Sequence, residues 1–198
     1  MNFLAHLYLA GDDEEAIVGQ MMADFLERGW RDHCTPAVQA AVAWHQRIDR
    51  YTDTHPRVAA LRRMCREPYR RYAGIILDVL FDYSLARDWS SYSPHVDLRS
   101  FAESRYAVLE RHSRQLTESL RRAIPYMKRY DWLSSYARRD GIESTLRGLS
   151  RRLKRENPLA TSGILIDEIG PEIDAVFHPF FEDLIQAHAA PSVLAARP

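Results

Sequence analysis

The segment His45-Gln46-Arg47-Ile48-Asp49-Arg50-Tyr51-Thr52-Asp53-Thr54-His55-Pro56 carries the densest set of side chains able to do chemistry. His45 and Asp49 are four residues apart, so on a helix they stand on one face, where an imidazole nitrogen and a carboxylate oxygen can meet one divalent ion. Asp53 lies a further four residues on. At ~1.5 Å rise per residue it is about 12 Å from His45 along a straight helix. It therefore reads as a cap or a group behind the ligands. Asp78 and Asp82 repeat the four-residue spacing on an apolar stretch that includes Ile75, Ile76, Leu77, Leu80, Phe81 and Leu85. Two acids there repel slightly and are costly to bury without a cation or an arginine. Asp24 sits within Met21-Met22-Ala23-Asp24-Phe25-Leu26, another acid amid apolar neighbours, although Glu27 and Arg28 also allow an exposed polar face. His6, on an apolar opening segment, reads by itself as a core histidine with its hydrogen bonds met. Each feature alone has an ordinary structural explanation. Their coincidence matches how helix bundles assemble oxygen- and imidazole-rich metal sites.

The elements that must position these residues are helical. Apolar residues recur with helical period, and alternating strand patterns are nearly absent. The pattern predicts helices over about 2–10, 13–28, 35–51, 56–66, 68–89, 97–122, 125–138, 141–154 and 169–188. Gly11 and Gly29 mark stops. Asp12-Asp13 and Thr35-Pro36 mark starts, the latter with Pro at the first helical position. The expected fold is all-α, a single-domain helical bundle over 1–190, with 191–198 a loose tail.

Composition bounds the function. The chain has 198 residues, is 46% hydrophobic and has a formal net charge of zero, which suits one domain with a full core. The basic residues are nearly all Arg, with Lys only at Lys128 and Lys154. Arg grips phosphate and carboxylate through a planar fork, and a codon bias toward Arg explains the excess equally well. No nucleic-acid motif accompanies the scattered Arg runs. Cys34 and Cys65 lie far apart without a CxxC pair, which points to a reducing compartment, the cytoplasm by default. The opening apolar stretch is short, lacks a basic start and is followed by Asp12-Asp13-Glu14-Glu15, so it reads as a buried helix and not a signal peptide. No stretch reaches the length of a membrane span.

At these same residues the chain resembles the acyl carrier protein phosphodiesterase family, a divergent branch of the HD-domain phosphohydrolases. The resemblance is carried by Met1-Asn2-Phe3-Leu4-Ala5-His6-Leu7 and by Gly19 with Ala23-Asp24-Phe25. It continues through His45, Arg47-Ile48-Asp49, Thr52-Asp53, Pro56, Asp78 and Phe81-Asp82, then Leu85, Trp89, Asp131-Trp132-Leu133 and Tyr136. It covers 1–155 well and the remainder loosely. It implies a distorted HD-domain-like bundle that uses a divalent ion, most often manganese. The reaction implied is hydrolysis of the phosphodiester joining 4′-phosphopantetheine to a serine of holo acyl carrier protein. Asp24, His45, Asp49 and Asp78 become the metal-ligand candidates. His6, Asp53 and Asp82 are placed close by as supporting or acid–base groups. A water acidified by the ion would attack phosphorus, with Arg47 neutralising phosphate charge and His6 or His55 protonating the departing serine oxygen.

Two departures stand out: Tyr83 where the family commonly has His after the Asp, and Gln20 where it often has Asn. Carrier proteins are acidic, so a basic docking face is expected, from the runs 62–71, 121–129 or 151–155. The competing functions are an HD-type phosphohydrolase acting on a small nucleotide and a non-catalytic helical binder of the carrier protein.

Overall fold

A computed structural model describes residues 1–195. Its helices are α1 (Phe3–Leu9), α2 (Glu14–Met22), α3 (Pro36–Thr54), α4 (Pro56–Met64), α5 (Ala73–Arg87), α6 (Trp89–Tyr92), α7 (Leu98–Arg111), α8 (Glu118–Arg129), α9 (Trp132–Ser135), α10 (Arg139–Arg152), α11 (Leu165–His188) and α12 (Pro191–Ala195). Among the described residues there is no strand, and the protein is all-α.

α1 lies inside the bundle. Every residue from Phe3 to Leu9 is buried, as expected of a helix that is apolar on all sides. Gly11, at φ 62°, ends it in the left-handed region where glycine carries no Cβ penalty. The Asp13 side chain then accepts the Ala16 amide hydrogen at 3.0 Å and starts α2. Thr35 does the same for α3, accepting from Val38 N at 3.2 Å with Pro36 in the first turn. α2 and α3 pack closely at Gly19, where a Cβ would lie 2.4 Å from the Ala41 Cβ and 2.7 Å from the Val38 carbonyl oxygen. That approach sets the backbone of Gln20 against α3. α5 and α11 close the core with Phe81, Phe177, Phe180 and Phe181.

Several boundaries differ from the periodicity. The stretch expected as one helix over 97–122 breaks after Arg111 into a 3-10 turn (Ser113–Gln115), and α8 begins at Glu118. Pro125 lies inside α8 and does not open a helix. The helix expected from Pro68 begins at Ala73, after a 3-10 turn at Arg70–Tyr72. Residues 191–195, expected as loose tail, form α12, because Val193 finds a buried seat and Ala190 N donates to Leu9 O at 2.8 Å. The rest of that expected tail, 196–198, lies outside the described residues. No helix among the described residues is long and apolar enough to cross a membrane.

Candidate metal centre

α3 presents His45 and Asp49 one turn apart, with His45 Nε2 3.1 Å from Asp49 Oδ2. α1 lays His6 directly over His45, the ring centroids 3.7 Å apart and the planes within 12°. His6 Nε2 is 3.1 Å from the other Asp49 oxygen. One carboxylate therefore faces two stacked imidazoles.

α2 fixes the opposite side of both rings through one residue. The Gln20 side-chain oxygen lies 2.9 Å from His6 Nδ1, and the Gln20 backbone oxygen lies 2.9 Å from His45 Nδ1. Carbonyl oxygens only accept, so each Nδ1 carries its hydrogen and each neutral ring presents Nε2 as its lone-pair nitrogen. The ligand atoms of His6, His45 and Asp49 all lie within 4.8 Å of one another. Asp24, in the 3-10 turn that follows α2, brings a carboxylate oxygen to 3.7 Å from His45 Nε2 and stands exposed at the edge of the group. From α5, Asp78 accepts from the buried Met1 ammonium at 2.8 Å, and that ammonium is also 3.4 Å from Asp49.

The electrostatics follow from this packing. Burial opposes a charge on His45, but Asp24 and Asp49 overcome it and raise its pKa to about 9. Burial and the charged His45 ring push His6 down to about 4. Burial would raise Asp49, yet the two histidines and the Met1 ammonium hold its carboxyl far below the usual range. Near neutrality the two rings thus share one positive charge, facing at least two carboxylates. Two Nε2 atoms converging with a carboxylate, Nδ1 pinned behind, is a donor set that fits a divalent cation of the imidazole- and oxygen-binding kind. His6, His45 and Asp49 would hold it, with Asp24 alongside.

The other candidates fall elsewhere. Asp82 is wholly buried, and its two oxygens accept from Leu4 N at 2.7 Å and Ala5 N at 3.2 Å. It anchors the first turn of α1 and so positions His6 from behind, instead of facing reactants. Burial raises its pKa to about 7 despite those two amides. Asp53 is exposed and paired with Arg62. Arg47 is exposed on the far side of α3, since two residues at ~100° each turn it about 200° from His45 and from Asp49. It lines a shallow groove there with Trp44 and His188. The structure thus does not bring Arg47, expected to neutralise substrate charge, together with His6, His45 and Asp49. His55 lies past the end of α3 with Nε2 3.4 Å from Asp183 and its ring against Phe180, outside the group formed by His6, His45 and Asp49. Tyr83 turns outward beneath Arg87, so the departure at that position does not touch the two histidines.

A family profile described as acyl carrier protein phosphodiesterase matches residues 1–184. The acyl carrier protein phosphodiesterase of Photorhabdus laumondii is 32% identical over 186 residues, covering 94% of each chain. That of Serratia proteamaculans is 32% identical over 186 residues, covering 94% of this chain and 96% of its own. That of Escherichia coli O6:H1 is 35% identical over 189 residues, with the same two coverages. No solved structure matches the chain. The chain belongs to the acyl carrier protein phosphodiesterase family.

Proposed function

We propose that the protein hydrolyses the phosphodiester between 4′-phosphopantetheine and a carrier-protein serine, turning holo into apo acyl carrier protein with a divalent ion, manganese first among candidates. The observation that carries the chemistry is the convergence of His6 Nε2, His45 Nε2 and Asp49 within 4.8 Å. The names of the relatives carry the substrate class. When bound, such an ion supplies a Lewis acid for the phosphoryl oxygens and an acidified water as nucleophile. The chain's own part is to present the two Nε2 atoms through Gln20, to hold them against Asp49, and to leave the Asp24 edge open to solvent. The free thiols Cys34 and Cys65 support a cytoplasmic setting.

Docking of an acidic carrier falls to the end of α10. In the run 62–71, Arg62 and Arg66 are engaged by Asp53 and Glu168, and Arg70 bonds backbone carbonyls. In the run 121–129, Arg121 and Arg122 meet Glu118 and Lys128 meets Glu110. Among the described ion pairs none involves Arg151, Arg152, Lys154 or Arg155, so this run alone has no member paired with an acid, whereas the other two keep only Arg63, Arg70, Arg71 and Arg129 unpaired. A surface with uncompensated charge of one sign steers the oppositely charged partner and is sensitive to salt.

The test is mass spectrometry of holo acyl carrier protein after incubation with chelator-treated protein and added manganese. The expected result is loss of the phosphopantetheine mass only with the ion present, at a rate that falls as salt rises. Unchanged holo carrier protein with manganese, magnesium, zinc and cobalt alike would overturn the reading.

A further inference from the structure

A cleft of about 510 Å³ runs along one face of α10. Gly141, Ser144, Thr145 and Gly148 line it at three- and four-residue spacing, so that face is low and carries two hydroxyls. Tyr130 and Trp132 supply aromatic walls. The inner end is formed by Asn2 and Phe3, the residues next to Met1, whose ammonium touches Asp78 and Asp49. Phe3 stacks on Phe25 at 5.9 Å, Phe25 adjoins Asp24, and the Arg152 guanidinium lies over the Phe25 ring at 5.6 Å. The cleft is thus linked to the candidate metal centre through neighbouring residues, Asn2 and Phe3 beside Met1 on one side and Phe25, under the lining residue Arg152 and next to Asp24, on the other. Its volume lies within the roughly 300–1,000 Å³ usual for small-molecule sites.

Two other clefts are worse placed. The groove lined by Trp44 and Arg47 lies on the face of α3 turned away from His45, and the one lined by Tyr83 and Gly170 lies between α5 and α11.

We propose that the α10 cleft receives the pantetheine arm of the carrier-bound substrate, and that Gly148 keeps it open. This rests on the hydrolase reading above and adds where the arm lies. Beyond its phosphate the arm is uncharged, with amide groups and a short branched alkyl segment. It calls for aromatic and aliphatic walls, a few hydroxyls for the amides, and a cation near the phosphate. The cleft's lining holds such groups: Tyr130, Trp132 and Leu149, the Ser144 and Thr145 hydroxyls, and Arg152 among several arginines. Gly148 is the point of leverage: a Cβ there meets nothing within 4 Å, so a larger side chain enters the cleft without striking the protein.

The test compares Gly148→Phe with wild type. Gly170→Phe is the control, because Gly170 also has open space but lines the other cleft. Binding of free 4′-phosphopantetheine is measured by calorimetry, and KM for holo carrier protein is measured separately. Gly148→Phe is expected to weaken 4′-phosphopantetheine binding and raise KM at least about tenfold, a loss of ~1.4 kcal/mol, with Tm and metal binding unchanged and Gly170→Phe like wild type. Gly148→Leu serves if the Phe variant does not fold. Wild-type hydrolysis of holo carrier protein with Gly148→Phe unimpaired overturns the cleft assignment and leaves the activity standing. Wild-type binding of 4′-phosphopantetheine, lost in Gly148→Phe, without any hydrolysis supports the cleft and sinks the activity. A wild-type protein that hydrolyses the carrier but shows no binding of the free arm overturns the cleft.

Discussion

Asp49→Asn is expected to reduce divalent-ion affinity at least about a hundredfold and to take holo carrier protein hydrolysis to background, while the helices stay folded. Asp49 touches both His6 Nε2 and His45 Nε2 at 3.1 Å, one through each oxygen. Asparagine keeps the shape but offers one oxygen and one NH₂ group, and the NH₂ hydrogens compete with a cation for an imidazole lone pair. The side chain is 41% exposed, so the substitution strands little in the core. The same variant changes how the metal-free protein responds to pH. His45 is raised to about 9 in the folded state from a reference of 6.5. Its contribution is fully present below pH 6.5 and is lost as pH rises through 9. Wild-type protein should therefore lose stability across that interval, and Asp49→Asn should show a flatter profile in thermal melts. Ion binding must displace the same proton, so wild-type ion affinity tightens as pH rises toward 9.

Asp82→Ala is expected to give the largest loss of stability of any single change near the site. It strips the acceptors from Leu4 N and Ala5 N in a fully buried place. Each buried donor left unpaired costs about 1–3 kcal/mol. With roughly 2–4 °C per kcal/mol for a domain of this size, the melting temperature should fall by ~10 °C. Since α1 carries His6, ion affinity should fall as well, although Asp82 touches neither imidazole. Asp82→Asn keeps one acceptor oxygen and should fall between. An Asp82→Ala protein that melts like wild type would show that α1 is held by its apolar packing alone.

The half of the site borne on α3 was legible because its signals are local. Thr35-Pro36 starts the helix, and the four-residue spacing then puts His45 and Asp49 on one face. Asp24 and Asp78 stand out in the sequence as acids amid apolar neighbours, but neither is in the group within 4.8 Å: Asp24 is exposed 3.7 Å from His45 Nε2, and Asp78 meets the Met1 ammonium. The part borne on α1 is not legible from spacing, and only the resemblance brings His6 close by. A helix buried on all sides has no polar face to reveal which way His6 points. Only the packing of α2 against α3 at Gly19 shows that Gln20 orients both rings. Spacing pairs Asp82 with Asp78, but the structure answers its burial with the Leu4 and Ala5 amides, which no local signal foretells. Arg47 and His55 enter through the mechanism that the resemblance implies, and their nearness in sequence to His45 and Asp49 becomes, on α3, separation by angle and by rise. The all-α class followed from periodicity. The break after Arg111 and the docking of α12 depend on contacts with distant residues and left no local mark.

Titration of manganese(II) into chelator-treated wild-type protein, read by electron paramagnetic resonance, bears most directly on the shared cation. The expected result is one tightly bound ion per chain, with pulsed spectra showing nitrogen couplings from two imidazoles. A manganese(II) signal that stays that of the free ion, or bound ion without histidine nitrogen coupling, would contradict it.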